Sequence, residues 1–109
     1  MIEKRKYKRV PYDVPLKYSE LGKSGVMPIG TLTADISEGG ARIKSNYFIS
    51  LASRIMTDFK LPTARGPVKA ISRVIWIRRS SANRHDVGLQ FLEMTKSDKM
   101  QIANFLNQL

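Results

Sequence analysis

Residues 86 to 91 read Asp-Val-Gly-Leu-Gln-Phe, a strict alternation in which Val87, Leu89 and Phe91 fall on one side and Asp86, Gly88 and Gln90 on the other. Successive side chains of an extended backbone point to opposite faces, so this period predicts a strand with one face buried and one wet. The same period recurs at Val14, Leu16 and Tyr18, and again at Ile55, Thr57, Phe59 and Leu61. Residues 68 to 78 are rich in β-branched side chains, include Trp76, and carry apolar groups on both registers. They predict a long central strand, or one covered on its second face. Turn-forming clusters separate these segments at Gly22-Lys23-Ser24-Gly25, Ser37-Glu38-Gly39-Gly40, Pro62 to Pro67 and Ser80 to Arg84. Short strands punctuated in this way predict an all-β sandwich or barrel.

From Asp98 onward the period changes. Ile102, Phe105, Leu106 and Leu109 recur at helical spacing, with Thr95 or Ser97 in position to cap the start and Asp98 suited to the positive end of the helix dipole. The apolar stripe is expected to pack on the barrel. At 109 residues the chain fits one domain. The expected division is a basic, flexible arm over 1–12, about six antiparallel strands over 13–94, and a helix over 96–109. Closure of the strands into a barrel would remove most exposed sheet edges.

Composition narrows the function classes. Cysteine is absent, which excludes disulfides, thiolate metal sites and cysteine nucleophiles together. The chain shows no apolar stretch of signal-peptide type and no run long enough to cross a bilayer, so the expectation is a cytoplasmic protein without membrane insertion. Lys and Arg number 19 against 9 Asp and Glu, a formal net charge of +10. So large an excess implies attraction to polyanions or phosphorylated ligands. The charge is concentrated at Lys4, Arg5, Lys6, Lys8 and Arg9, and again at Arg73, Arg78, Arg79 and Arg84.

Catalysis has little to stand on. The one histidine, His85, lies beside Asp86 in a turn, and no nucleophile context completes a Ser-His-acid set. One histidine without cysteine leaves only scattered carboxylates for a metal. Neither a GxxxxGK[ST] loop nor a GxGxxG turn occurs. The expectation is a binding protein, not an enzyme, with no metal and no cofactor.

Two local patterns carry binding chemistry. Arg5-Lys6-Tyr7-Lys8-Arg9 is an RxxxR in the basic arm, and Asp35-Ile36-Ser37-Glu38-Gly39-Gly40 is a DxSxxG in a turn between strands. Arginine's planar fork grips phosphate oxygens, or the O6 and N7 edge of guanine, through paired hydrogen bonds. Asp35 accepts only, which suits guanine's N1–H and N2–H₂ donors, and Ser37 both donates and accepts. Gly40 lets a backbone approach a ligand closely. Each pattern also has a plain alternative: a solvated basic tail for the first, ordinary turn chemistry for the second.

With both motifs in this order, and 25 residues between Arg9 and Asp35, the sequence resembles the PilZ domain family. The likeness continues through Gly40-Ala41-Arg42-Ile43, the strand holding Trp76, the Gly88-Leu89-Gln90-Phe91 ending and the final helix. It implies a six-stranded antiparallel barrel that binds cyclic di-GMP and has a mobile arginine arm that closes over the ligand. Carried onto this sequence, Arg5 and Arg9 would contact phosphate and guanine. Asp35 and Ser37 would hold a guanine with its neighbouring ribose-phosphate, and Gly40 would shape the turn. Lys4 and Lys6 are further phosphate contacts in the same reading. Trp76 is a ligand-adjacent side chain in that reading, and its alternative place is packing on the barrel. The signal would pass to an unidentified protein partner through ordering of the arm. Two other functions stay open: a nucleic-acid-binding barrel driven by the net charge, whose aromatics mostly fall at core registers, and a PilZ-type protein adaptor that no longer binds nucleotide.

Overall fold

A computed structural model describes residues 9–22 and 27–109. Its strands are β1 (Val10–Pro11), β2 (Pro15–Glu20), β3 (Ile29–Ile36), β4 (Gly40–Ser45), β5 (Arg54–Phe59), β6 (Val68–Ser81) and β7 (Arg84–Glu93), followed by helix α1 (Lys96–Asn107). All pairings are antiparallel. The order β3-β2-β5-β6-β7-β4 closes on itself through a β3–β4 pairing, giving a six-stranded barrel with β1 added outside the ring against β3.

The alternation seen in the sequence is what closure requires, because each strand presents one face to the interior. Leu16 and Tyr18 of β2, Ile55 and Phe59 of β5, and Val87 and Leu89 of β7 all point into one core with Ile36, Ile43 and Val74. Fully burying each such side chain contributes about 1.5–3 kcal/mol. Thr57 at the centre of β5 is buried too, and its hydroxyl donates to the Ala70 carbonyl at 2.9 Å. The β6–β7 hairpin is tighter than the expected Ser80–Arg84 turn, since β6 continues to Ser81 and β7 begins at Arg84.

Helix α1 starts at the predicted cap. The Asp98 backbone N–H donates to Thr95 Oγ1 at 3.0 Å, and Asp98 Oδ2 accepts from the Lys69 backbone N–H at 3.2 Å, which fixes the first turn to the head of β6. Ile102 and Phe105 are buried, and Leu106 packs partly against the core. The expected stripe is shorter by one residue, because Leu109 lies past the helix and is exposed.

The entry of the chain into the barrel is clamped at two points. Thr33 of β3 donates from Oγ1 to the Tyr12 carbonyl at 2.5 Å and accepts from the Val14 N–H at 2.8 Å. The Tyr12 ring meets Phe105 edge-on at a centroid distance of 5.0 Å. These contacts set the register of β1, in which Val10 faces Ile36 and Pro11 faces Asp35. That register brings Arg9 to Asp35.

Candidate functional site

Asp35 sits near the end of β3 with its side chain only 12% exposed. Two arginines approach its carboxylate: Arg42 Nε at 3.2 Å from Oδ2, and Arg9 Nε at 3.9 Å from Oδ1. Both are charge contacts without hydrogen-bond alignment. Among the described residues no hydrogen bond reaches Asp35 Oδ1 or leaves Arg42 Nε, although both atoms are buried. Buried polar atoms ordinarily find partners, so an uncommitted carboxylate oxygen beside an uncommitted guanidinium N–H marks a place where a ligand can complete the pairing.

The following turn explains the rest of the DxSxxG motif. Ser37 Oγ accepts from the Gly39 and Gly40 N–H groups at 3.2 Å each, and it donates to the Gly40 carbonyl at 3.3 Å. The Ser37 N–H also donates to that carbonyl, at 2.8 Å. The hydroxyl is therefore engaged in holding the turn that follows Asp35. Gly40 is demanded by a close approach of backbone: a Cβ there would lie 2.1 Å from the Leu89 carbonyl oxygen.

Cross-strand register extends the site over the outer face of the barrel. Pro11 pairs with Asp35, Asp35 with Arg42, Arg42 with Gly88, and Gly88 with Trp76, a single row across β1, β3, β4, β7 and β6. Trp76 lies over Gly88, where an added Cβ would come within 2.2 Å of the indole Nε1. Because Gly88 has no side chain, the indole can lie against the sheet beside Arg42. Trp76 is thus packed on the barrel surface and borders the Asp35–Arg42 pair along the same row. In the adjacent row Arg73 Nη2 donates to Gln90 Oε1 at 3.1 Å, with Gln90 opposite Gly40. In the row on the opposite side of Gly88, Arg78 pairs with Asp86 at 3.3 Å. The face combines a carboxylate, several guanidinium groups and an aromatic plane, the groups needed to read a purine and grip phosphate.

Of the residues the sequence singled out, Arg9, Asp35, Ser37, Gly40 and Trp76 converge on this face. Arg5, Lys4 and Lys6 lie outside the described residues. Arg42, Gln90 and Gly88 were quoted in the sequence as strand residues without a role in the site. Arg42 is two positions after Gly40 in one strand, hence on its side of the sheet, and a glycine within a strand pattern signals close approach; both cues were available.

Other features lie apart from this face. A cleft of about 920 Å³ runs along β2, β5 and the β5–β6 loop past Pro15, Phe59, Leu61 and Pro67, and it touches none of the described motif residues. Of the aromatics, expected to fall mostly at core registers, Tyr18 is buried, but Tyr47 and Phe48 are exposed in the β4–β5 loop beyond the end of β4 at Ser45. Tyr18 is buried and shares a hydrogen bond with Ser45 at 2.8 Å. Burial raises its hydroxyl pKa above 10.0, the Ser45 bond opposes the rise, and the Tyr47 and Glu20 charges add to it.

Comparison with known proteins gives the frame for this geometry. The model of the PilZ domain matches residues 3–108. The chain belongs to the PilZ domain family. As a PilZ domain it is similar in fold to Bacillus subtilis MotI/DgrA, an inhibitor of motility, with TM-score 0.79 and 18% identity over 98% of this chain and 51% of that one. It is also similar to the PilZ domain of Escherichia coli YcgR with c-di-GMP, with TM-score 0.76 and 14% identity over 98% of this chain and 92% of that one. A third likeness is to the PilZ domain of CeSA from a cellulose-synthesizing bacterium, with TM-score 0.66 and 16% identity over 93% of this chain and 96% of that one. The chain spans about half the length of the MotI/DgrA chain it matches. No curated protein matches the sequence. At these identities the structural likenesses establish the fold.

Proposed function

We propose that this PilZ domain is a receptor for cyclic di-GMP and not an enzyme. The observation that carries the reading is the Asp35 carboxylate, buried between Arg9 and Arg42 with Oδ1 uncommitted among the described residues. Asp35 would accept from the N1–H and N2–H₂ of one guanine, and Arg9 would grip the phosphate beside it. Ser37 and Gly40 hold the turn that presents Asp35, and with Asp35, Ser37 would hold the guanine and its neighbouring ribose-phosphate. Trp76 borders the base. Arg5, Lys4 and Lys6 would add contacts from the arm. The likeness to a PilZ domain solved with c-di-GMP supports the choice of ligand.

The expected division into an arm over 1–12, a barrel over 13–94 and a helix over 96–109 is proposed with two trims, since Val10–Pro11 already pairs with β3 and the helix ends at Asn107. Relay to a protein partner would run through the arm. Five Lys and Arg in the first nine residues repel one another until a dianionic ligand neutralises them, so binding would fix the arm on the barrel and change the surface a partner meets. Amide exchange over residues 1 to 12 should slow with ligand; equal protection in both states ends the relay. For the receptor reading itself, binding should be lost in the double variant Arg9→Ala/Asp35→Ala with its circular dichroism retained. Unchanged binding would move the site elsewhere.

One observation favours a second reading. Exposed Tyr47 and Phe48 offer stacking surfaces, and Arg84 lines a hollow beside Tyr47, as single-stranded nucleic acid would use. Salt-sensitive RNA binding that survives the double variant would select that reading.

A further inference from the structure

Arg42 is placed to do more than balance a charge. It projects from β4 directly opposite Asp35, and its Nε stands 3.2 Å from Oδ2. The neighbouring acid on the same face, Asp86, is engaged by Arg78. Among the described residues Asp35 is therefore the one carboxylate paired with Arg42. On its other side the row continues to Gly88, which has no side chain, and to the indole of Trp76. The Arg42 Nε is buried and has no aligned hydrogen bond among the described residues.

We propose that Arg42 determines the base specificity of this site by reading guanine O6 while Asp35 reads the adjacent N1–H and N2–H₂; the inference rests on the cyclic di-GMP reading above. Guanine's Watson–Crick edge presents one acceptor, O6, beside two donors. A carboxylate and a guanidinium in contact match that pattern in one step. Adenine in the same position turns its N6–H₂ donor toward the guanidinium and its N1 acceptor toward the carboxylate, so both pairings become repulsive. A carboxylate alone rejects adenine less firmly than the pair does, since a buried donor facing a donor costs more than a lost contact.

Calorimetric titration with cyclic di-GMP, cyclic di-IMP and cyclic di-AMP tests this in the full chain. Hypoxanthine keeps O6 and N1–H but lacks the N2 amino group. Arg42→Ala should weaken cyclic di-GMP and cyclic di-IMP by the same factor, about 10- to 100-fold, and leave cyclic di-AMP no weaker, so that the guanine-to-adenine preference narrows. Arg42→Lys, which keeps the charge and loses the fork, should fall between. It serves as the second variant should the alanine form lose its circular dichroism. Unchanged affinities and preference in Arg42→Ala would overturn the proposal. So would tighter cyclic di-GMP binding, which would make Arg42 a competitor for Asp35. A loss confined to cyclic di-GMP, with cyclic di-IMP unaffected, would make Arg42 a positioning residue for the N2 contact and overturn its reading of O6. If the wild-type chain binds none of the three, the receptor reading fails with it.

Discussion

Two glycines on the Asp35–Arg42 face meet different obstacles, and the difference predicts unequal costs. In Gly40→Ala the new Cβ would stand 2.1 Å from the Leu89 carbonyl oxygen, where ordinary contact begins at 3.4 Å. The obstacle is backbone, so β4 and β7 must part by about 1 Å in a close-packed barrel. One hydrogen bond that spans the two strands beside the clash is Phe91 N–H to Gly39 O at 2.9 Å. Its loss costs about 0.5–1.5 kcal/mol, and the overpacking itself about 1–3 kcal/mol. Together the cost expected is about 2–4 kcal/mol, or roughly 10–20 °C in Tm for a domain of this size. In Gly88→Ala the Cβ would lie 2.2 Å from Trp76 Nε1, but that obstacle is a half-buried side chain free to rotate outward. The cost expected is about 1 kcal/mol. Urea unfolding followed by circular dichroism measures both. Trp76 is the one tryptophan, so its emission should shift in Gly88→Ala. Gly40→Ala within about 0.5 kcal/mol of wild type, or cheaper than Gly88→Ala, would refute the assignment of Gly40 to backbone approach.

Three further outcomes are expected. Asp35→Ala should weaken cyclic di-GMP binding by about 1–3 kcal/mol through unpaired guanine donors, read by calorimetry; wild-type affinity would displace Asp35 from the site. Phe105→Ala should cost about 3–5 kcal/mol in urea unfolding, because the ring is 2% exposed and packs on Tyr12. A cost under 1 kcal/mol would mean α1 is not a structural plug at the chain's entry. Tyr18 binds its proton more tightly folded than unfolded, so its contribution is fully present below pH 10.0 and is lost as pH rises through the raised folded value. The alkaline fall in the urea midpoint should shrink in Tyr18→Phe, and an identical fall in both proteins would contradict this.

How much was legible in the sequence follows from what each residue depends on. The strands at Val14–Tyr18, Ile55–Leu61 and Val87–Phe91 declared themselves because a closed barrel half-buries every strand. The helix did so through its cap at Thr95. β1 had no such signal: Val10–Pro11 is two residues long, and its register is set by Thr33 and Phe105, both distant in sequence. The motifs exposed Arg9 and Asp35, but not that they meet, since this depends on β1 pairing with β3. The side of the sheet on which Arg42 lies was readable from Gly40, but its contact with Asp35 was not, since that arises from β3–β4 register across an irregular pairing. For Ser37 the structure shows the turn chemistry, in the hydroxyl's three hydrogen bonds within the turn. The expectation that aromatics mostly fall at core registers fails at Tyr47 and Phe48, because β-propensity alone does not say where a strand stops.

The central claim is most directly tested by titration calorimetry of the purified chain with cyclic di-GMP at moderate salt, beside GTP and a short single-stranded RNA. Saturable heat with cyclic di-GMP alone is the predicted result, and it gives the stoichiometry at once. A folded protein that gives no heat with cyclic di-GMP would contradict the receptor reading, pointing to a protein adaptor if the RNA is also silent and to a nucleic-acid-binding barrel if the RNA binds.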